Sequence, residues 1–389
     1  MSVLGFWLLA LALYALVAIM GNRGGRRLIP IVGQLLVASL AIPLLLLFGV
    51  EPYAQLGASD LLAPSWLNLL YGLCFALLLG YILADVIDLE VNAASLKIAL
   101  PSFLVPMLAG LACSVWLLPG ERGWLSALGI GLLFSITAIP VLYLFLQSIG
   151  YPAAATKRLL HAAILMDFMC WSLFGLAQGS SDPASLLWPL LAACLPLVAH
   201  KALRLRHDLF YSLPFFGLML LFQQFELNAL VFGIAYMLCL AWLGQPLRLP
   251  LPERHWKLLL NGLAVPLILT CGVLRVDFQG VGEHYSWLYL AALLVLPVLS
   301  KVVGSWLGLH WADPLAPPRI QWQEAVLLNI RGLTEIVFLN LLLQQQLIDA
   351  LVYFSLLLMS LFSTLLPALL GIRRPAVPSL AKRSPHGVR

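Results

Sequence analysis

The chain has 389 residues, of which 62% are hydrophobic and 10% charged, with a mean hydropathy of +0.98. Soluble domains carry roughly 25% charged residues, so this composition excludes a soluble globular protein and reads as one all-α polytopic membrane domain. The formal charge of +5 is distributed over short connections between apolar runs, which makes the basic residues a topology signal and argues against nucleic acid as a partner.

In chain order, thirteen apolar runs bounded by charge, Gly and Pro predict thirteen transmembrane helices. They cover about 3–20, 28–50, 66–86, 97–118, 124–148, 156–178, 184–200, 209–226, 228–245, 257–275, 286–306, 322–346 and 350–371. Met1 to Met20 has no basic segment before its apolar run, so it is expected to remain a span and not a cleaved signal. After Pro375 a short basic tail is expected, 372–389 in all.

Lys and Arg test this division. Of the twenty-two, eighteen, among them Arg23, Arg26, Arg27, Lys97 and Arg389, fall on one side, only Arg122 and Arg275 fall on the other, and Lys301 and Arg331 lie within apolar spans. Such asymmetry predicts a cytoplasmic C-terminus and a periplasmic N-terminus. The odd count suits two inverted repeats of six spans, about 3–178 and 209–371, joined by a linker helix at about 184–200. The whole of 1–371 is then a single transporter domain.

The six cysteines, Cys74, Cys113, Cys170, Cys194, Cys239 and Cys271, stand singly in or beside apolar runs and are expected to be small core residues. No metal-ligand spacing is present and no cofactor is expected. Nothing resembles a nucleophile turn or a tight His-Asp pair, so an intramembrane enzyme such as an acyltransferase is disfavoured.

Polar residues inside spans carry the functional argument. Asp167 lies in the middle of the sixth run, where an Asp costs roughly 2.5 to 3.5 kcal/mol to insert. A carboxylate persists there when it faces a cavity, binds a cation or carries a proton; the plainer account is a neutral acid joining two helices. Ser135, Thr137 and Pro140 interrupt the fifth span, and Asn329, Arg331, Gly332 and Glu335 interrupt the twelfth, its counterpart in the second half. Each interruption weakens the helical hydrogen-bond ladder, and paired interruptions point to a midplane binding site. Asp167, Thr137, Ser135 and freed carbonyls supply the several oxygens that a dehydrated cation needs.

Four stretches carry a resemblance: Phe134-Ser-Ile-Thr-Ala138 followed by Leu165-Met-Asp167; Leu267 to Asp277; Ser300-Lys301-Val-Val-Gly304; and Asn329 to Glu335. In order and spacing they resemble the monovalent cation:proton antiporter superfamily, in particular the sodium/hydrogen exchanger-type membrane domain of bacterial antiporters. The resemblance implies two discontinuous helices crossing beside an aspartate that alternately binds a cation and protons. On that basis Asp167 is the carrier and the ligand of the transported monovalent cation. Thr137 and Ala138 lie at the first crossover, and Arg331 and Gly332 near the second. Lys301 forms an ion pair that cation binding releases.

The implied function is exchange of Na⁺ or K⁺ for protons by alternating access, in a homodimer of the bacterial inner membrane. One departure stands out. The superfamily usually has Asp, Asn or Gln immediately before the aspartate, and this chain has Met166, a poor ligand for Na⁺ or K⁺. The alternative is therefore a transport-inactive relative acting as a membrane sensor or assembly partner. Glu335, one turn after Arg331, is expected to pair with it. Asp85, Asp88 and Glu90 are expected to be solvated beside the third span, and His161 to be interfacial.

Overall fold

The computed structural model describes residues 2–23, 30–50, 52, 56–84, 93–116, 123–179, 183–201, 207–224, 229–245, 247, 253–275 and 287–372. Asp85, Asp88, Glu90, Arg122, Asp277 and the expected tail from Arg373 onward lie outside them. The described residues form helices and short connections, as backbone in hydrocarbon requires, because each N–H and C=O must find its partner within the segment.

The helices are α1 (Val3–Arg23), α2 (30–50), α3 (Ser65–Ala84), α4 (Ala93–Trp116), α5 (Trp124–Ser135), α6 (Ile139–Ser148), α7 (Ala153–Gly179) and α8 (183–201). They continue as α9 (Leu209–Gln224), α10 (Ala229–Leu243), α11 (253–274), α12 (Trp287–Ala312), α13 (Pro318–Leu327), α14 (Leu333–Gln344) and α15 (Ala350–Leu369), and a short helix, Ala58–Leu62, precedes α3. Every predicted apolar run is mainly helical where described; the fifth and twelfth are split by several non-helical residues, into α5 with α6 and α13 with α14, and the seventh is broken only by a turn at Cys194. Six of the helices are long and apolar enough by themselves to cross a membrane.

Contacts between helix ends give the split segments their direction. Near one face of the membrane, Tyr151 just beyond α6 and Arg158 of α7 both reach Glu324 of α13, at 3.2 and 2.7 Å. Near the other face, the Ser126 hydroxyl of α5 donates to the Leu347 carbonyl, and the Gln178 amide of α7 donates to Gln345. The α5–α6 segment and the α13–α14 segment thus run antiparallel, with α7 alongside. Asp167, nine residues after Arg158 and eleven before Gln178, falls midway between the faces.

Two helices meet especially closely. A Cβ on Gly308 of α12 would stand 2.5 Å from the Ile98 carbonyl oxygen of α4, and one on Gly304 would stand 2.6 Å from that of Pro101. Small residues four apart let helix backbones approach where no hydrophobic effect drives association. Gly308→Val is expected to force α4 and α12 apart and to cost about 1–3 kcal/mol of stability, seen as a lower melting temperature of the purified protein. An unchanged melting temperature would show that the close approach is dispensable.

The cysteine expectation holds for Cys74, Cys113, Cys170 and Cys271, which are buried. It fails for Cys194, which is exposed, and for Cys239, which is half-buried. Cys194 lies at a turn within α8 whose apolar side chains Leu187, Leu190 and Leu191 are themselves exposed, so apolar neighbours in sequence did not mean core.

Candidate ion-binding site

The first interruption is Ile136, Thr137 and Ala138, between α5 and α6. Pro140 does not cause it from within; the residue belongs to the first turn of α6, where a missing N–H leaves no bond unmade. The second interruption runs from Leu328 to Gly332. The two stretches touch through the backbone: the Ala138 N–H donates to the Ile330 carbonyl at 2.9 Å, and the Thr137 hydroxyl to the Leu328 carbonyl at 2.9 Å. Each stretch thereby satisfies backbone groups that the other's helix leaves open.

Two buried cations cover the C-terminal end of α5. The Arg331 guanidinium donates to the Leu133 carbonyl and, at 2.7 Å, to the Phe134 carbonyl. The Lys301 ammonium of α12 donates to the Ser135 carbonyl, to the Ser102 carbonyl at 3.2 Å and to the Met166 sulfur at 3.2 Å. Ser102 O is available because Pro106, four residues later, has no N–H to occupy it. The negative end of the α5 dipole and the cations compensate each other.

The second interruption is supported from α15. Ser363 donates to the Asn329 carbonyl at 2.6 Å, and Thr364 to the Arg331 carbonyl at 2.8 Å. Ser360 donates to the Glu335 carboxylate at 2.9 Å. Glu335 lies in the first turn of α14, where the helix dipole favours an acid, and 3.7 Å from Arg331. These three hydroxyls were not singled out from sequence. Their spacing, 360, 363 and 364, puts them on one helical face and was the available signal.

Asp167 is 4% exposed on α7. It is bracketed by Met166, which touches Lys301, and by Cys170, whose thiol faces the Leu132 carbonyl of α5 at 4.0 Å. Its charge acts on Lys301, Arg331 and Cys170. Ser135 donates to the Phe103 carbonyl at 2.8 Å, leaving its oxygen lone pairs available. Asn329 and Thr334 are fully buried, and among the described residues neither the Asn329 amide nor the Thr334 hydroxyl has a hydrogen-bond partner. Unused buried polar groups at an interrupted helix are groups a ligand can engage.

The structure therefore gathers Ser135, Thr137, Ala138, Met166, Asp167, Lys301, Asn329, Arg331, Gly332 and Glu335 around one crossing. With all four ionised, Asp167 and Glu335 balance Lys301 and Arg331. His161 stands apart, in a cavity of about 490 Å³ with Tyr143, Gln147, Lys157 and Ile164 near the Arg158 end of α7.

These features define a polytopic helical membrane protein with a charged crossing of interrupted helices at its centre. The chain is 24% identical over 337 residues to Cation/H(+) antiporter 15 of Arabidopsis thaliana, covering 80% of this chain and 40% of that protein. It is 26% identical over 338 residues to Cation/H(+) antiporter 19 of the same plant, covering 78% and 41%. The chain thus spans about two fifths of the length of these relatives. In fold it is similar to the sodium proton antiporter MjNhaP1 of Methanocaldococcus jannaschii, with a TM-score of 0.53 and 16% identity over 95% of each chain. No protein-family model matches the sequence. Both likenesses extend over most of the chain, to the plant cation/H(+) antiporters in sequence and to the archaeal structure in fold.

Proposed function

We propose that the protein is a secondary active transporter that exchanges a monovalent cation, Na⁺ or K⁺, for protons by alternating access. The observation that carries this reading is the crossing itself, in which two antiparallel interrupted helices bond to each other beside a buried aspartate and a balanced set of buried charges. A bound cation adds one positive charge to that balance, and in low dielectric the excess is costly. A proton on Asp167 adds the same charge, so the crossing holds either the cation or the proton and not both, and binding of one is coupled to release of the other by electrostatics.

In this reading Asp167 binds the cation, and the oxygens of Ser135, Thr137 and Asn329 complete its shell. Arg331 and Lys301 hold the crossing in shape, and Lys301 pairs with Asp167 in the cation-free state. The names of the plant relatives and of the archaeal neighbour support cation and proton as substrates. The same reading has the protein working in a bacterial inner membrane as a homodimer, C-terminus in the cytoplasm, with its two six-span halves as inverted repeats.

The test is reconstitution into vesicles bearing an imposed pH gradient. Addition of Na⁺ or K⁺ to the wild-type protein should dissipate the gradient; failure with every monovalent cation would overturn the proposal. That failure would favour a transport-inactive membrane sensor or assembly partner, a reading supported by Met166, whose sulfur takes the ammonium of Lys301. Met166→Asn offers the ammonium an oxygen in place of sulfur and adds an oxygen beside Asp167. It is expected to lower the half-saturating Na⁺ concentration several-fold in the same assay, and an unchanged value would remove position 166 from the cation shell.

A further inference from the structure

On the membrane face that holds Arg275, a cavity of about 630 Å³ lies between α3, α9, α11 and the end of α14. We infer that it is a binding site for a membrane phospholipid, held by its phosphate against Arg275 with an acyl chain along the leucine wall. The only formally charged side chain lining the cavity, among the described residues, is that of Arg275, so the transported cation is not its ligand. No carboxylate among the described residues pairs with this guanidinium. The amides of Asn68 and Gln344, further N–H donors, line the same cavity. A guanidinium with neighbouring amide donors is an arrangement for a phosphate or carboxylate.

The position within the membrane selects the source of that anion. Arg275 is exposed at the C-terminal cap of α11, the level at which the helix leaves the apolar layer. Leu69, Leu73 and Leu221 line the same cavity and are exposed on the outside of the protein, which in a membrane means against hydrocarbon. The cavity is thus open sideways to lipid, with its one charge at headgroup level and leucines below. Its volume lies in the usual range for small-molecule sites, roughly 300–1,000 Å³.

Occupancy would act on the rest of the molecule through Tyr71. Tyr71 lines the cavity, and its hydroxyl donates to Asn340 of α14 at 3.4 Å; the Asn340 amide donates onward to the Tyr353 hydroxyl of α15 at 3.2 Å. A lipid seated on Tyr71 therefore braces α3 and α11 against the two helices that support the second interruption. The inference needs only the membrane placement, so it stands or falls independently of the exchange reaction.

The test uses the delipidated full-length protein in detergent and reads its melting temperature. Phosphatidylglycerol is expected to raise it by about 2–4 °C, while diacylglycerol, with the same chains and no phosphate, and inorganic phosphate leave it unchanged. Arg275→Gln should lose the shift and Arg275→Lys should keep part of it. Leu221→Trp, which fills the cavity without touching the charge, should lose it as well. An undiminished shift in both Arg275→Gln and Leu221→Trp would overturn the site. Oleate reproducing the whole shift would assign the cavity to a fatty acid, and a shift that depends on protein concentration would assign it to a second copy of the chain; either result overturns the phospholipid.

Discussion

Asp167→Asn, in vesicles with an imposed pH gradient, is expected to leave the gradient intact when Na⁺ or K⁺ is added, while the melting temperature stays near that of the wild type. The amide has the shape of the carboxylate but carries no charge and takes up no proton. It also changes the charge balance of the crossing, leaving Glu335 alone against Lys301 and Arg331. An incoming cation then meets a site that is already positive. One unit charge at 4 Å is worth about 4 kcal/mol at an effective dielectric near 20, which corresponds to a loss of affinity of roughly a thousand-fold. A transport rate in Asp167→Asn within a few-fold of the wild type would remove Asp167 from the proposed site.

Arg331→Met is expected to have the largest effect on stability, about 3–5 kcal/mol, measured by thermal or denaturant unfolding of the purified protein. The guanidinium is fully buried and does two things at once. It accepts the charge of Glu335 at 3.7 Å, and it donates to the Leu133 and Phe134 carbonyls at the end of α5. Methionine fills much of the volume and supplies neither. Adding Glu335→Gln to Arg331→Met should recover only the part due to the buried carboxylate, because the two carbonyls of α5 stay uncovered. Full recovery in the double variant would mean that the end of α5 does not depend on Arg331. Glu335→Gln alone should be the milder change, since Ser360 can still bond the amide oxygen.

Much of this molecule was legible in the amino-acid order because lipid leaves few choices. Apolar runs of sufficient length must be helical, and Asp167, Lys301, Arg331 and Glu335 announce themselves by their cost. The pairing of Arg331 with Glu335 followed from their spacing of four. Details that depend on neighbours in space were not legible. The stretch from Ser135 to Pro140 read as the break in the fifth span and the break lies within it, at 136–138, but that Pro140 belongs to the first turn of the next helix was not legible. Cys194 read as core because its sequence neighbours are apolar, and it is exposed.

The sequence by itself determined that the chain is a multi-pass helical membrane protein, roughly where its helices run, and that Asp167, Lys301, Arg331 and Glu335 lie within them; the buried Glu324, paired with Arg158, was not among the charges it singled out. Those properties follow from transfer free energies summed along a segment, and they need no knowledge of other segments. Only the tertiary structure decided what each buried charge touches. Lys301 meets a carbonyl that Pro106 set free on another helix and a sulfur beside Asp167. The second interruption rests on three hydroxyls of α15. Such contacts join residues that lie between 25 and 199 positions apart, and they exist because an unsatisfied polar group in hydrocarbon takes whichever partner the packing brings within reach.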